Sequence, residues 1–418
     1  MSGSTMLDAA ASVIARRAVE ALRSGVPCSS AVHTLGSGQD LLEHRFRELT
    51  HRAWADPERP VPGLLLRAGF GEGKSHLLTC FEHIALAQGY AVSRVVISKE
   101  TPLHLPAKLL ASAAENLRIP NAVGQGLDEV ALLLRQRVET AEYRKLAARI
   151  AGQLDARFAA TLFLFEHGAQ SEELVDRIVR FWSGDKLTVS EIRAELRNLG
   201  ESARFRFEPI KARELALQTF RFLPQLLRAA GLRGWVLLVD EVELIGRYAR
   251  LSRGRAYAEL ARWLGTPEPI LGLVTVAAIT SDFSREVLYG DKIQDIDQMA
   301  PYLQSRDPDV AAQAEEGMKW IHQALELVPP NDDLLRRTYA QLRHLHAAAY
   351  GWSPPDVPWP EVLGSMPMRT YVRAWINAWD VQRLYPEVRP ETLRYAIAPI
   401  QSEYSESLDQ PEEDDAPT

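Results

Sequence analysis

The stretch that decides the fold lies at residues 68–75 and reads Ala68-Gly69-Phe70-Gly71-Glu72-Gly73-Lys74-Ser75. A short apolar run at residues 63–66 precedes it, and residues 75–88 are predicted to form a helix that ends at Gly89. In a glycine-rich turn between a strand and a helix, backbone N–H groups and the positive helix N-terminus can cradle phosphate groups. We therefore predict a phosphate-binding loop here, rather than a flexible turn that carries a surface lysine.

The loop follows the Walker A pattern except at its first position, where Ala68 replaces the usual glycine. A methyl group is tolerated there if the residue does not need a positive φ. Lys74 would place its charge on the β- and γ-phosphates, and the Ser75 hydroxyl would ligate Mg²⁺. The residues predicted to contact the nucleotide are Gly69, Phe70, Gly71, Glu72, Gly73, Lys74, Ser75 and His76.

Two acids follow a second apolar run. Residues 235–239 predict a buried strand, and Asp240 and Glu241 come directly after it. In P-loop ATPases the first acid orients the water shell of Mg²⁺ and the second polarises the attacking water. We assign those roles to Asp240 and Glu241; a strand that ends in a solvated acidic turn is the alternative. Glu243 could be part of the site, but we predict that it begins the next helix.

Two further polar contacts are predicted around the γ-phosphate. The apolar run at residues 273–279 ends in Thr280 and Ser281, and either hydroxyl could sense the γ-phosphate; we assign the role to Thr280. Arg369 stands at the start of a C-terminal helix, where a lid arginine could reach over the phosphates. The alternatives are an ordinary strand-terminal turn and a surface arginine.

A basic segment follows the acid pair and contains Arg247, Arg250, Arg253 and Arg255. Three interpretations stay open for it. One arginine could act in trans on the ATP of a neighbouring subunit. The group could instead bind nucleic-acid phosphates, or it could be a solvated helix face.

Composition limits the classes of protein. The chain has 418 residues, of which 46% are hydrophobic and 25% charged, as in ordinary globular proteins. It has no apolar run long enough for a membrane span and no secretion signal. The two cysteines, Cys28 and Cys80, have no metal-like spacing and suggest reduced thiols. We expect a soluble cytoplasmic protein without the overall basicity of a dedicated DNA binder.

The order of these segments predicts an α/β fold, namely an AAA+ P-loop NTPase core with a parallel sheet. We divide the chain into an N-terminal helical segment (1–54), a nucleotide-binding core (55–290), a helical lid (291–400) and a disordered acidic tail (401–418). The core carries a long helical insertion at about residues 106–227. No guanine-recognition element is present, so ATP with Mg²⁺ is the expected cofactor, and we expect a homo-oligomer.

Three segments carry a more specific resemblance. They are Arg16-Arg17 with Glu20-Ala21-Leu22-Arg23-Ser24-Gly25-Val26-Pro27, then Val95-Val96-Ile97-Ser98-Lys99-Glu100-Thr101-Pro102-Leu103, and Val239-Asp240-Glu241-Val242-Glu243. Together they resemble the BREX phage-defence ATP-binding family, BrxC and BrxD, and the short chain resembles BrxD more. The resemblance implies a bacterial defence ATPase that acts on DNA with a helicase-like partner. A nucleotide-gated scaffold with negligible turnover and a DNA-binding regulatory module are the alternatives.

Overall fold

A single sheet forms the centre of the computed structural model, which describes residues 2–26, 28–56, 58–122, 124, 126–168, 171–267, 269–357 and 366–387. Its strands are β1 (Leu64–Ala68), β2 (Ala91–Val96), β3 (Leu117–Arg118), β4 (Trp235–Asp240), β5 (Leu273–Thr280) and β6 (Leu325–Glu326). Their order across the sheet is β3-β2-β4-β5-β1-β6. All neighbours are parallel except β2 and β3. The chain thus has the P-loop NTPase-like α/β core that its sequence predicts.

The register of the strands brings the polar strand ends to one edge. Every residue of β4 and β5 is buried, because helices cover both faces of the parallel sheet. Ala68 pairs with Thr280 and Val96 pairs with Asp240, so β1, β2, β4 and β5 all finish at the same edge. Loops that leave this edge therefore carry the candidate site.

Helices make up most of the remaining described chain. They are α1 (Ser2–Ser24), α2 (Ser29–Leu35), α3 (Asp40–Ala55), α4 (Lys74–Ala87), α5 (Pro106–Glu115), α6 (Leu127–Arg135), α7 (Ala141–Ile150), α8 (Ala156–His167), α9 (Glu172–Trp182), α10 (Val189–Asn198), α11 (Ala212–Ala229), α12 (Arg250–Leu264), α13 (Asp295–Gln304), α14 (Pro308–His322), α15 (Asp332–Tyr350) and α16 (Met368–Leu384). Among the residues described, none of these helices is both long and apolar enough to cross a bilayer.

Helices α5–α11 fill the long interval between β2 and β4. Their apolar side chains join the same hydrophobic core as the sheet, and Phe220 stacks on Trp235 of β4 with ring centroids 5.4 Å apart. The short edge strand β3 was not predicted, because two residues carry no readable alternation. The inserted helices are therefore continuous with the sheet through a shared core.

The N-terminal helices are divided between two parts of the molecule. Helices α1 and α2 pack with α15 and α16, where Val19 and Ala31 share a cluster with Trp375. Helix α3 instead packs on the sheet side, and Phe46 stacks on Phe81 of α4 with centroids 4.3 Å apart. Helix α2 contacts both α15 and α4, with Ala31 in the first cluster and Val32 in the second, so it lies between the two parts.

The core also extends past the predicted boundary at residue 290. Strand β6 pairs with β1, and α14 lies against α12 so closely that a Cβ at Gly317 would come within 2.0 Å of the Tyr257 carbonyl oxygen. Helices α15 and α16 begin only after β6, and we refer to these two helices as the lid. The predicted acidic tail at residues 401–418 lies outside the described residues.

Candidate nucleotide-binding site

A cleft opens at the strand-end edge, between the N-terminus of α4 and the lid. Its empty volume is about 1220 Å³, open solvent at the mouth included. The walls come from the loop after β1, the loop after β4, the turn between α1 and α3, the segment after β6, and helices α15 and α16. Segments that are far apart in the sequence therefore meet at one site.

The loop after β1 has the geometry of a phosphate cradle. Gly71 and Gly73 adopt φ of +79° and +108°, which favours glycine at both positions. Gly73 precedes α4 and no side chain caps this helix end, so first-turn N–H groups remain for an anion. Ala68 is the last residue of β1, where extended backbone accommodates its methyl group.

Two charged side chains of the loop fold back onto its backbone. The Glu72 carboxylate accepts the Gly69 N–H over 2.5 Å, and a Cβ at position 69 would lie 2.8 Å from the same carboxyl group. Lys74 is 8% exposed, and its Nζ donates to the carbonyls of Ala68 and Gly69 over 3.1 and 3.2 Å. Both contacts brace the loop in this conformation.

Lys74 lies among carboxylates. Burial lowers the pKa of the Lys74 ammonium, while the charges of Glu243, Asp240 and Glu72 act in the opposite direction. The nearby guanidinium of Arg369 adds a smaller lowering of the Lys74 pKa. The carboxylate that acts most strongly on Lys74 is that of Glu243, for which the sequence left a role in the site as the alternative to an ordinary helix start.

Asp240 is 3% exposed at the end of β4, and both of its oxygens have partners. Oδ2 accepts from Arg94 over 2.7 Å, and Oδ1 accepts the backbone N–H of Glu241 over 3.0 Å. Arg94 also donates to Thr79 Oγ1 over 2.7 Å and to the Ser75 carbonyl over 3.2 Å. Arg94 was not predicted, although a charged residue inside a parallel strand signals a buried partner.

Glu241 and Glu243 occupy different environments. Glu241 is exposed and adopts φ 58° and ψ 36°, a left-handed conformation that costs energy in a residue other than glycine. Partial burial, and then the charge of Asp240, raises the pKa of Glu241. Glu243 lies in the first turn of the next helix, as predicted, but that helix is a short 3₁₀ helix (Val242–Arg247), and Glu243 also lines the cleft. Burial raises the pKa of Glu243 to about 7.

The lid places Arg369 over the phosphate loop. Its backbone N–H donates to the Gly71 carbonyl over 3.2 Å, and its Nη2 donates to the Gly25 carbonyl over 3.1 Å. The guanidinium carbon lies 5.0 Å from the centroid of the Phe70 ring. Burial, followed by the charge of Arg373, lowers the pKa of Arg369. Arg369 therefore joins the lid, the loop and the N-terminal turn.

Thr280 and Ser281 lie behind the loop. Thr280 is buried at the end of β5, and the Ser281 N–H donates to the Ala68 carbonyl over 3.0 Å. Within the described part of the chain, neither residue is among those that line the cleft. The structure thus brings Lys74, Asp240, Glu241 and Arg369 together around the cleft. Thr280 lies outside the cleft, at the end of β5, where it pairs with Ala68 of β1.

Much of the lining of the cleft is apolar. His76 of α4 contributes a polar contact there, since its Nε2 donates to the Gly36 carbonyl over 2.7 Å. The Gln39 amide bridges α3 to the segment after β6 by accepting from Val328 N–H and donating to Val328 O, both over 2.9 Å. The apolar walls are Leu22, Val26, Leu35, Leu327, Val328, Pro330, Leu334, Met368 and Val372. Such a surface fits a planar base, and sequence reasoning missed it because its residues are scattered along the chain.

One of the four predicted arginines has a structural role. Arg253 is 7% exposed, and its guanidinium donates to Asp295 Oδ1 over 2.9 Å and to the Tyr248 carbonyl over 2.8 Å. It cannot reach a neighbouring subunit without breaking this buried pair. Arg247, Arg250 and Arg255 are partly exposed.

The site fits a nucleoside triphosphate, because it combines helix N–H groups and Lys74 with apolar walls. Ser75 and Asp240 offer oxygen atoms of the kind that Mg²⁺ prefers. Residues 16–358 match the family described as BREX system ATP-binding protein BrxC/D. A search of curated proteins gave no significant match. The chain belongs to the BREX system ATP-binding protein BrxC/D family, and it is a BREX-associated ATP-binding protein.

Proposed function

We propose that this protein hydrolyses ATP in the cleft and that the cycle drives work on DNA together with a helicase-like partner. The observation that supports hydrolysis is the group of three carboxylates, Asp240, Glu241 and Glu243, on the wall facing Lys74. A module that only holds ATP gains nothing from acids beside a triphosphate, since like charges repel. Acids at this position are explained by binding of a metal and activation of water.

The residues divide the work between holding and reacting. First-turn amides of α4 and the Lys74 ammonium hold the β- and γ-phosphates, and Arg369 closes over them from the lid. Ser75 and Asp240 would hold Mg²⁺, which neutralises phosphate charge when bound. Arg94 keeps the Asp240 carboxylate oriented toward α4. Glu241 orients water at the open side of the cleft.

Two substitutions test this assignment. Lys74→Ala should weaken ATP binding by about 10- to 100-fold, because a charged hydrogen-bond donor contributes about 1.5–3 kcal/mol. Glu241→Gln should keep ATP affinity and lower phosphate release by about 100-fold or more. Lys145→Ala, which removes an exposed lysine of α7 that pairs with Glu142, is the control for loss of a positive charge. Binding is measured with a fluorescent ATP analogue, and turnover by phosphate release with and without duplex DNA.

Unchanged ATP affinity in Lys74→Ala would contradict the phosphate assignment. Wild-type protein that binds ATP but releases no phosphate, with or without DNA, would instead favour the nucleotide-gated scaffold. The two failures are separable because binding and turnover are measured on the same samples.

Assembly and DNA contact form a second part of the proposal. We propose that the protein forms a homo-oligomer around ATP and that one of Arg247, Arg250 and Arg255 acts in trans. Light scattering of Glu241→Gln with ATP and Mg²⁺, with and without duplex DNA, measures the assembly. An unchanged monomer mass in all conditions would contradict it.

We also propose that the inserted helices contact DNA or the partner. Deletion of residues 125–198 would be a poor test, since their apolar residues belong to the core of the sheet. Arg135 and Arg144 are exposed on α6 and α7, so their replacement by alanine leaves that core intact. DNA affinity should fall and become less sensitive to salt. With fewer phosphate contacts, fewer counterions are released when the protein binds DNA. The control is the same double substitution at Arg47 and Arg285, which lie outside the inserted helices and pair with neighbouring acids.

A further inference from the structure

The three acids of the cleft wall differ in how their oxygens are satisfied. Asp240 has both oxygens bonded, to Arg94 and to the backbone of Glu241. Glu241 is exposed, so water solvates its carboxylate. Glu243 has a buried oxygen, Oε2, for which the described residues supply no hydrogen-bond donor. A buried acceptor without a partner costs about 1–3 kcal/mol, which calls for a ligand or a reacting group at that point.

The backbone explains why Glu243 faces inward. The left-handed conformation of Glu241 ends β4 abruptly and starts the 3₁₀ turn at Val242, which is itself buried. The chain therefore turns back under the strand end, and Glu243 joins the wall of the cleft. There its charge acts on Lys74 more strongly than that of Asp240 or Glu72. Since Lys74 marks the β- and γ-phosphates, Glu243 lies on the reacting side of the cleft.

We infer that Glu243 is a catalytic residue whose carboxylate accepts the proton of the attacking water, while Glu241 orients that water from the exposed side. This inference rests on the proposed ATP hydrolysis. In the step, the water oxygen forms a bond to the γ-phosphorus. The bond from that phosphorus to the β–γ bridging oxygen breaks, and its electron pair leaves with ADP. The water proton passes to Glu243.

The electrostatics of the site agree with this role. Burial makes the Glu243 carboxylate a stronger base than a solvated one, and its pKa of about 7 is close to the value that suits a general base at neutral pH. Lys74 acts against that rise and so favours the ionised form. Glu241 has no comparable enclosure, because its side chain is exposed.

The experiment compares Glu243→Gln, Glu243→Asp, Glu241→Gln and the double Gln variant. Glu243→Gln keeps the size of the side chain and removes a buried charge, so the fold should be retained. We expect kcat to fall about 100-fold or more while the equilibrium affinity for ATP–Mg²⁺ stays within about 2-fold. Nucleotide extracted from the Glu243→Gln protein after incubation should be ATP instead of ADP. Glu243→Asp keeps a carboxylate but shortens the side chain by one methylene group, so its kcat should lie between those of the wild type and Glu243→Gln.

Controls and outcomes separate the inference from the proposed function. Glu326→Gln on β6 removes an exposed acid paired with Arg67 and should behave as wild type. A Glu243→Gln protein with wild-type kcat overturns the inference while ATP hydrolysis stands. A loss of ATP affinity with unchanged kcat also overturns it, because the residue would then serve binding alone. Wild-type protein without any turnover overturns the proposed function and this inference with it.

Discussion

The guanidinium of Arg94 donates to Asp240 Oδ2 over 2.7 Å and to the Ser75 carbonyl over 3.2 Å, and so ties the acid of β4 to the first turn of α4. The side chains of this pair are 22% and 4% exposed. The phosphate loop and the acid strand are not neighbours in the sheet, since β5 lies between β1 and β4. Arg94 therefore links two halves of the site that the sheet itself keeps apart.

Arg94→Ala should lower the free energy of unfolding of the nucleotide-free protein by about 3 kcal/mol, because it leaves the Asp240 carboxylate buried without its partner. The measurement is urea unfolding followed by circular dichroism. Arg180→Ala is the matched control: its pair with Asp176 in α9 is exposed, and its loss should cost less than about 0.5 kcal/mol. Equal costs for the two variants would contradict a structural role for Arg94.

Gly25→Ala should weaken both the lid contact and ATP binding. Gly25 has a φ of +74°, and a Cβ there would lie 2.9 Å from Arg369 Nε. Gly351→Ala is the control, because its φ of +65° imposes similar backbone strain with no atom within 4 Å of the new Cβ. Both variants should lose about 1 kcal/mol of stability, but only Gly25→Ala should lower ATP affinity. The double variant with Gly25→Ala and Arg369→Ala should lose less stability and less ATP affinity than the sum of the two single variants, because both changes break the same contact. Unfolding and ATP binding are measured on the wild type, the two single variants and the double variant.

Asp380→Asn should destabilise the protein in a pH-dependent manner. Burial alone would raise the pKa of Asp380, but the hydrogen bond from His346 and the charges of Arg23 and Arg383 lower it below the ordinary value. Because the pKa of Asp380 is lower in the folded than in the unfolded state, the ionised carboxylate stabilises the fold. This contribution is fully present above the unfolded pKa of about 3.9 and is lost as the pH falls through the folded-state pKa. Urea unfolding should show a cost of about 1–2 kcal/mol at pH 7.

The cost of Asp380→Asn should shrink toward zero as the pH falls below about 4, where the wild-type carboxylate takes up a proton. Asp356→Asn, which removes an exposed acid paired with Arg343, provides the comparison and should cost less than about 1 kcal/mol. A cost of Asp380→Asn that does not vary with pH would show that the carboxylate charge contributes nothing.

Thr280→Val should leave phosphate release near the wild-type rate, because Thr280 is buried at the end of β5 and does not line the cleft. Ser281→Ala keeps the backbone N–H that donates to the Ala68 carbonyl and should likewise retain near-normal turnover. The assay is steady-state phosphate release at saturating ATP. A clear loss of turnover in Thr280→Val with unchanged ATP affinity would instead support the γ-phosphate contact that the sequence assigns to its hydroxyl.

Local signals in the sequence were sufficient for the central part of the fold. The apolar runs before Ala68, Asp240 and Thr280 predicted three parallel strands, because strands buried on both faces must be continuously apolar. The glycines and Lys74 predicted the loop, because its conformation depends on φ values that favour glycine. These features depend on residues that are close in the chain, so they can be read without the tertiary structure.

Contacts between distant segments were decided only by the tertiary structure. At the cleft, His76 of α4 bonds to Gly36, and Gln39 at the start of α3 bonds to Val328; no local sequence pattern indicates either pairing. The inward position of Glu243 depends on the left-handed backbone conformation of Glu241. The sequence does not predict that conformation, because glutamate rarely adopts it. The sequence by itself thus determined the strand–loop–helix unit and its acid pair, because short-range sterics and burial specify them. Long-range packing alone decided how strongly Glu243 acts on Lys74 and which apolar side chains line the cleft.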